Sequence, residues 1–200
     1  MTTAARDAHL TAAPLAPAAS HEVAKHVRMN RLGLWLFLAS DGLLFALLLA
    51  VRFYMNGTHT PDDVSQLLGL AITSILLLSS LTAYRAETAI GHGNVARGRA
   101  MLLATIVMGL VFLAGVAGEW SIAEFTPREG YGTAFFSMTG MHAGHVASGV
   151  LLLILAYRRA GRGVYDGGGM RAWGASGTVI YWHFVDVVWV FFYPALYLLR

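Results

Sequence analysis

The 200-residue sequence contains no cysteine and little charge. Without cysteine, the chain has no disulfide, no iron–sulfur cluster and no thiolate-bound metal. Charged residues make up 12% of the chain, well below the roughly 25% that a soluble domain carries. Hydrophobic residues account for 56%, and the mean hydropathy is +0.58. This balance predicts an integral membrane protein that forms one compact unit.

Long apolar stretches fill most of the sequence, and each is long enough to cross a hydrocarbon core of roughly 30 Å as a helix. The five stretches cover residues 32–51, 67–84, 100–120, 133–157 and 175–199. No strand-like alternation competes with them, so the predicted fold class is all-α, a polytopic bundle of five transmembrane helices. Residues 1–30 are rich in Ala, Thr and Pro and are predicted to form a flexible cytoplasmic tail, with residues 31–200 as the membrane domain.

Basic residues lie mainly on one side of the predicted spans. Eleven of the fourteen fall in the N-terminal tail, the second loop and the fourth loop. Because cytoplasmic loops collect positive charge, this pattern predicts a cytoplasmic N-terminus and a C-terminus on the outside. The net charge of +3 is spread over these short loops and does not indicate a nucleic-acid partner. No cleavable signal-peptide pattern is seen, so the first span is expected to direct insertion.

Ionisable side chains within the spans are the candidates for a functional site. A charged group at bilayer depth costs about 2.5–3.5 kcal/mol or more unless it finds a partner. His183 and Asp186 lie three residues apart on one helix face and are therefore predicted to face protein. Asp41, near the centre of the first span, is either a buried carboxylate that fixes packing or a member of a proton path or lipid site. The full set of candidates is Asp41, Glu119, His142, His145, His183 and Asp186.

The fourth span carries two histidines and a row of small residues. His142 and His145 lie about 60° apart around one helix, so they cannot clamp a haem between them. A structural, hydrogen-bonding histidine is predicted at these positions, with metal or haem ligation as the alternative. Gly140, Gly144 and Ser148 are predicted to form a stripe for close helix packing. Glu119, at the end of span three, is either a solvated interfacial carboxylate or an inward partner for a span-four histidine or a lipid headgroup.

Four stretches, in this order, resemble subunit III of the haem–copper terminal oxidases. They are residues 34–41 (LWLFLASD), 119–120 (EW), 139–146 (TGMHAGHV) and 182–189 (WHFVDVVW). The last two are the specific ones. The similarity covers roughly residues 31–199, and no motif covers the tail.

The resemblance implies a subunit without redox cofactors of its own. It would pack against catalytic subunit I, which holds haems and copper, beside subunit II and other oxidase subunits in a bacterial plasma membrane. The complex would reduce oxygen to water and pump protons in aerobic respiration. This subunit would bind phospholipid and support stability and proton uptake. Two departures stand out: Asp41 replaces the glutamate usual in cytochrome-c-oxidising members, and the chain has five spans where the long form has seven.

Three other interpretations compete with this one. The intramembrane histidines are compatible with a haem-binding electron-transfer protein. Asp41 and Asp186 are compatible with a proton-coupled transporter, although such folds usually show inverted repeats that this sequence lacks. Within the same family, the chain would also fit the subunit III-like accessory protein of a nitric oxide reductase. The spans alone do not separate that protein from a subunit of an oxygen reductase.

Overall fold

A computed structural model describes residues 17–57 and 66–199 of the chain. Within these residues there is no strand, and five helices are long and apolar enough to cross a membrane. The prediction of an all-α protein with five spans is therefore confirmed. The helices are α1 (Pro17–Asn56), α2 (Gln66–Gly91), α3 (Val95–Ile122), α4 (Gly130–Gly161) and α5 (Trp173–Tyr193).

Local sequence explains where the later helices begin and end. Asn94 caps α3, since its side-chain oxygen accepts a hydrogen bond from the backbone N–H of Arg97 at 3.2 Å. A glycine-rich loop after α4 leads through a short 3₁₀ helix (Gly169–Ala172) into α5. Pro194 has no backbone N–H to continue the ladder, and the chain closes in a π-helical turn (Pro194–Leu198). The predicted fifth span thus comprises α5 and this C-terminal turn.

The first helix begins well before the predicted membrane domain. α1 starts at Pro17, so residues 17–30, predicted as part of a flexible tail, are helical, while residues 1–16 lie outside the described residues. Proline suits the first helical turn, and the segment that follows is free of glycine and supplies helix-forming Ala, Glu, Lys and Arg. Glu22 and His26 are one turn apart, and His26 Nε2 lies 4.0 Å from Glu22 Oε2. At about 1.5 Å per residue, the 40 residues of α1 extend roughly 60 Å.

α5 lies at the centre of the bundle. It packs against α1, α2 and α4, while α3 packs against α2 and α4. The indoles of Trp182 and Trp189 are fully buried. Trp182 fits because two neighbouring helices present glycine: a Cβ on Gly109 or Gly149 would come within 2.7 Å or 2.9 Å of its ring. These glycines determine how closely α3 and α4 approach α5.

The predicted small-residue stripe on α4 is a packing surface only in part. A Cβ placed on Gly144 would meet nothing within 4 Å, and Gly140 meets only Trp120, at 3.3 Å. The close contact forms instead at Gly149, because the rotation of α4 turns that residue toward α5. Spacing along a helix identifies a face, but it does not tell which face meets a neighbour.

Candidate functional site

Asp41 and His145 form a polar pair between α1 and α4. His145 Nε2 lies 3.1 Å from Asp41 Oδ2 and 3.3 Å from Oδ1, and the two side chains are 12% (Asp41) and 18% (His145) exposed. His145 Nδ1 lies 2.8 Å from the carbonyl oxygen of Met141 and must donate to it, because a carbonyl only accepts. Phe45 covers the imidazole edge-on at 4.7 Å. The pair can therefore exist as carboxylate with imidazolium or as carboxylic acid with neutral imidazole, and in both states it holds one shared proton.

A second polar contact lies one helical turn from this pair. Ser148 donates its hydroxyl proton to the carbonyl oxygen of His145 at 2.8 Å. The Tyr181 hydroxyl lies 2.6 Å from Ser148 Oγ and must be the donor, since Ser148 has already used its only proton. This bond connects α4 to α5 beside the Asp41–His145 pair. Neither hydroxyl was singled out from the sequence as a polar partner.

His183 and Asp186 meet a hydroxyl from α2. Ser80 Oγ lies 3.0 Å from His183 Nδ1 and also contacts Asp186 Oδ2 at hydrogen-bond distance. Asp186 is 3% exposed, and His183 is half-buried. Asp186 thus faces protein, as its position beside His183 predicted. No sequence signal identifies Ser80 as the residue that connects the two.

Glu119 is buried at the far end of α3, and its partner is not a histidine. Its Oε2 accepts a hydrogen bond from the Tyr197 hydroxyl at 2.7 Å. The suggested pairing with a span-four histidine is wrong, because the C-terminal π turn brings Tyr197 to this carboxylate. Nearby, Tyr131 donates to the carbonyl oxygen of Leu196 at 2.6 Å, and the guanidinium of Arg52 lies 5.2 Å from the Tyr131 ring centroid. This cluster closes the end of the bundle around the last turn of the chain.

His142 occupies an aromatic pocket rather than a hydrogen-bonded one. It is fully buried, stacked on Trp189 at 4.7 Å and edge-on to Phe112 at 5.7 Å. Within residues 17–57 and 66–199, neither ring nitrogen has a hydrogen-bond partner. The prediction of a hydrogen-bonding histidine therefore fits His145, which contacts Asp41 and Met141, and not His142. Among the residues described, no three His, Asp or Glu side chains converge as metal ligands.

Three intramembrane tryptophans donate hydrogen bonds from their indole N–H groups to hydroxyl groups of neighbouring helices. Each bond joins two helices and leaves no indole N–H unsatisfied in an apolar environment, where a missing bond costs several kcal/mol. The pairs are Trp182 with Ser79 at 2.9 Å, Trp189 with Thr73 at 2.9 Å, and Trp120 with Thr139 at 3.0 Å. Two of them fix α5 to α2. The hydroxyls of α2 therefore contribute interhelical hydrogen bonds.

Among the grooves that flank α1, two are lined by polar side chains as well as apolar ones. The larger, of about 580 Å³, lies between α1, α4 and α5 and is lined mainly by apolar side chains. Asn30 and Arg159 lie at one end, and Ser148 and Tyr181 at the other. A smaller groove of about 360 Å³ runs between α1 and α5, and His183 lines it. Both grooves open at the bundle surface.

Known proteins are similar to this chain over most of its length. The family described as "Cytochrome c oxidase subunit III" matches residues 17–199. Cytochrome c oxidase subunit 3 of Thermostichus vulcanus is 33% identical over 182 residues, covering 88% of this chain and 90% of the relative. The Bacillus subtilis protein of the same name is 32% identical over 198 residues, 92% of both chains. That of Ornithorhynchus anatinus is 35% identical over 181 residues, 84% of this chain and 68% of the relative. The chain therefore belongs to the cytochrome c oxidase subunit III family.

Proposed function

We propose that this chain acts within a proton-translocating respiratory oxidase by holding protons and lipid beside the catalytic subunit. As a subunit III it is a non-catalytic part of a haem–copper oxidase, and its family carries no redox cofactor. Haems and copper would reside in subunit I and subunit II, against which the bundle packs. The oxidase would reduce oxygen to water in a bacterial plasma membrane.

The Asp41–His145 pair is the observation on which the proton role rests. Its Nε2–Oδ2 distance is 3.1 Å, and both side chains are nearly buried inside an apolar bundle. One shared proton keeps the pair neutral overall, which makes it tolerable at bilayer depth. A pair that can move this proton between imidazole and carboxyl is suited to relay protons toward a neighbouring subunit.

The larger groove supports the lipid role. Its walls between α1, α4 and α5 are apolar, and its size of about 580 Å³ suits acyl chains. Arg159 lies at one end, where a guanidinium can bind a phosphate through two parallel hydrogen bonds. We therefore place a phospholipid here, with its headgroup at Arg159 and its chains toward Tyr181.

Orientation and neighbours follow from charge and exposure. The basic residues at the α2–α3 and α4–α5 connections favour a cytoplasmic N-terminus and an outer C-terminus. Most of α1 faces away from the other helices. In the seven-span form, two further helices belong to the same chain. In this protein, helices of a neighbouring subunit would pack against the exposed face of α1 in their place.

Purification from native membranes tests the assignment. An affinity tag on this chain is expected to bring down a multi-subunit complex with haem and copper that consumes oxygen. A complex with haem and non-haem iron that reduces nitric oxide would instead indicate the reductase accessory protein. A chain that purifies alone with its own Soret band would overturn the proposal in favour of a haem protein.

Asp41→Asn tests the proton role within that complex. The variant keeps the size of the side chain but cannot carry the carboxyl proton. Assembly and haem content should stay unchanged, while oxygen consumption declines over sustained turnover, most of all at alkaline pH. Asp166→Asn, at an exposed position in the α4–α5 loop, is the matched control. Unchanged activity of the Asp41 variant over many turnovers would refute the proton role.

Arg159→Gln tests the lipid role and has a neighbouring control. Arg158 lies beside it at the end of α4 but does not line the groove. Native mass spectrometry of the complex should show loss of a bound phospholipid in the Arg159 variant and not in Arg158→Gln. Equal lipid content in both variants would argue against a headgroup site at Arg159.

A further inference from the structure

Ser80 sits between two ionisable side chains of a different helix. Its hydroxyl on α2 is within 3.0 Å of His183 Nδ1 and also in contact with Asp186 Oδ2, both on α5. His183 is only half-buried, whereas Asp186 is 3% exposed. The three groups thus form a row from a partly accessible imidazole to a sequestered carboxyl.

The Ser80 hydroxyl has a single proton. Two arrangements of the protons therefore allow Ser80 to make its hydrogen bonds to His183 and to Asp186 at the same time. In the first, His183 is an imidazolium with a proton on both ring nitrogens, its Nδ1–H donates to Ser80, and Ser80 donates to an ionised Asp186. In the second, Asp186 is protonated and donates to Ser80, which donates to the lone pair of Nδ1. Passing from the first to the second breaks the Nδ1–H and Ser80 O–H bonds. It forms a new Ser80 O–H bond and an Asp186 O–H bond, so that one proton has moved from imidazole to carboxyl.

We propose that His183, Ser80 and Asp186 form a proton-exchange site, in which a proton that reaches His183 passes through the Ser80 hydroxyl to Asp186. An imidazolium next to a carboxylate becomes a neutral imidazole next to a neutral acid. The transfer replaces two separated charges with two neutral groups. Separated charges are costly inside the bundle, because the dielectric constant there is low. The inference deepens the proposed function and depends on it for its role in the oxidase.

Access to the site is from the His183 end. His183 lines the groove of about 360 Å³ between α1 and α5, and its Nε2 lies across the ring from the atom that faces Ser80. Glu87 lies two turns beyond Ser80 on α2, about 10 Å along the helix axis. It is partly buried and lies on the same side of Ser80 along α2 as His183 lies of Asp186 along the antiparallel α5. Glu87 therefore marks the entry side, toward the end of α2 at Gly91.

The other titratable groups around α5 belong to other contacts. Asp41 of α1 is paired with His145, and His142 of α4 stacks on Trp189. Glu119 of α3 accepts a hydrogen bond from Tyr197. In the described part of the chain, no hydrogen bond joins any of these groups to Ser80, His183 or Asp186. The row is therefore separate from the Asp41–His145 pair, which lies between α1 and α4.

Infrared spectroscopy of the purified complex tests the inference directly. The C=O stretch of a protonated Asp186 would be recognised as the carboxyl band that pH titration reveals and that Asp186→Asn removes. Its rate of hydrogen–deuterium exchange would then be measured after transfer into D₂O. In Ser80→Ala the exchange should slow by roughly 100-fold, the lower end of what a positioned proton-transfer group contributes. Ser80→Thr, which keeps a hydroxyl, should restore the rate.

A matched serine on the same helix controls for general loosening. In the described part of the chain, the Ser74 hydroxyl donates only to its own helix, at the Leu70 carbonyl oxygen 2.8 Å away, and Ser74 is exposed. Ser74→Ala should leave the exchange of the Asp186 band unchanged. The inference is overturned if Asp186→Asn removes no carboxyl band, or if Ser80→Ala exchanges as fast as the parent. Either result would leave the assignment as an oxidase subunit intact, because that assignment is read from the haem, copper and oxygen consumption of the same purified complex.

Discussion

α5 and α1 are both apolar, but they relate to the bundle in opposite ways. In the most apolar stretch of each span, 56% of the residues of the last span are buried inside the protein, against 11% for the first. Trp182 and Trp189 of α5 are fully enclosed, while Trp35 and Leu36 of α1 are 52% and 71% exposed.

The difference shows that apolarity does not select a helix for the centre of a membrane bundle. Lipid tails are as apolar as leucine, so burial of an apolar side chain against another helix gains little over lipid. α5 is held by other means: indole N–H groups bonded to hydroxyls of α2, and glycines that admit the Trp182 ring. The polar contacts of α1 described above are the Asp41–His145 pair and the Arg52 guanidinium over the Tyr131 ring.

The largest expected effect is the loss of a buried indole from α5. Trp182→Ala removes a ring that contacts Gly109 and Gly149 and donates to Ser79. We expect a destabilisation of about 3–5 kcal/mol, typical of an emptied aromatic core position. Denaturation of the purified chain in mixed micelles, followed by circular dichroism, would measure it. Trp35→Ala on α1 is the control, and an equal loss in both variants would contradict the contrast between the helices.

A substitution at glycine should give the next largest effect. A Cβ on Gly149 would lie 2.9 Å from the Trp182 ring, whereas Gly144 on the same helix has nothing within 4 Å. Gly149→Ala should therefore destabilise by about 1–3 kcal/mol through overpacking. Gly144→Ala should be neutral or slightly stabilising, because alanine favours helix. The same denaturation assay compares the two, and similar midpoints would mean that α4 and α5 approach less closely than described.

The sequence could predict the helices, because length and apolarity determine a span whatever its neighbours are. It also identified Asp186 and His183 as one face, since a three-residue spacing places them together. It could not predict their connection through Ser80, because that contact depends on how α2 and α5 are rotated against each other. The rotation of α4 likewise leaves Gly144 exposed and places Gly149 against Trp182. The partner of Glu119 was missed because Tyr197 reaches it only after the turn at Pro194.

Removing one hydrogen bond from α5 should have a smaller effect. Trp189→Phe keeps most of the ring against His142 and Phe112 but deletes the N–H that Thr73 accepts at 2.9 Å. Interhelical hydrogen bonds in membranes average about 0.6 kcal/mol and reach about 1.7 kcal/mol. We expect a loss in that range by the same assay. Thr73→Val removes the acceptor, so the double variant should lose little more than either single change; fully additive losses would show that the two groups do not interact.

The smallest effect is expected on the outer face of α1. Leu36 is 71% exposed. In the isolated chain, both leucine and the alanine that replaces it contact lipid or detergent at this position. Leu36→Ala should therefore change the free energy of unfolding by less than about 0.5 kcal/mol. Leu38, two residues on and 3% exposed, supplies the comparison, since Leu38→Ala leaves a cavity between helices and should cost measurably more than Leu36→Ala. Two equal losses would mean that α1 is enclosed on both faces, and the contrast with α5 would then fail at the residue where it is most pronounced.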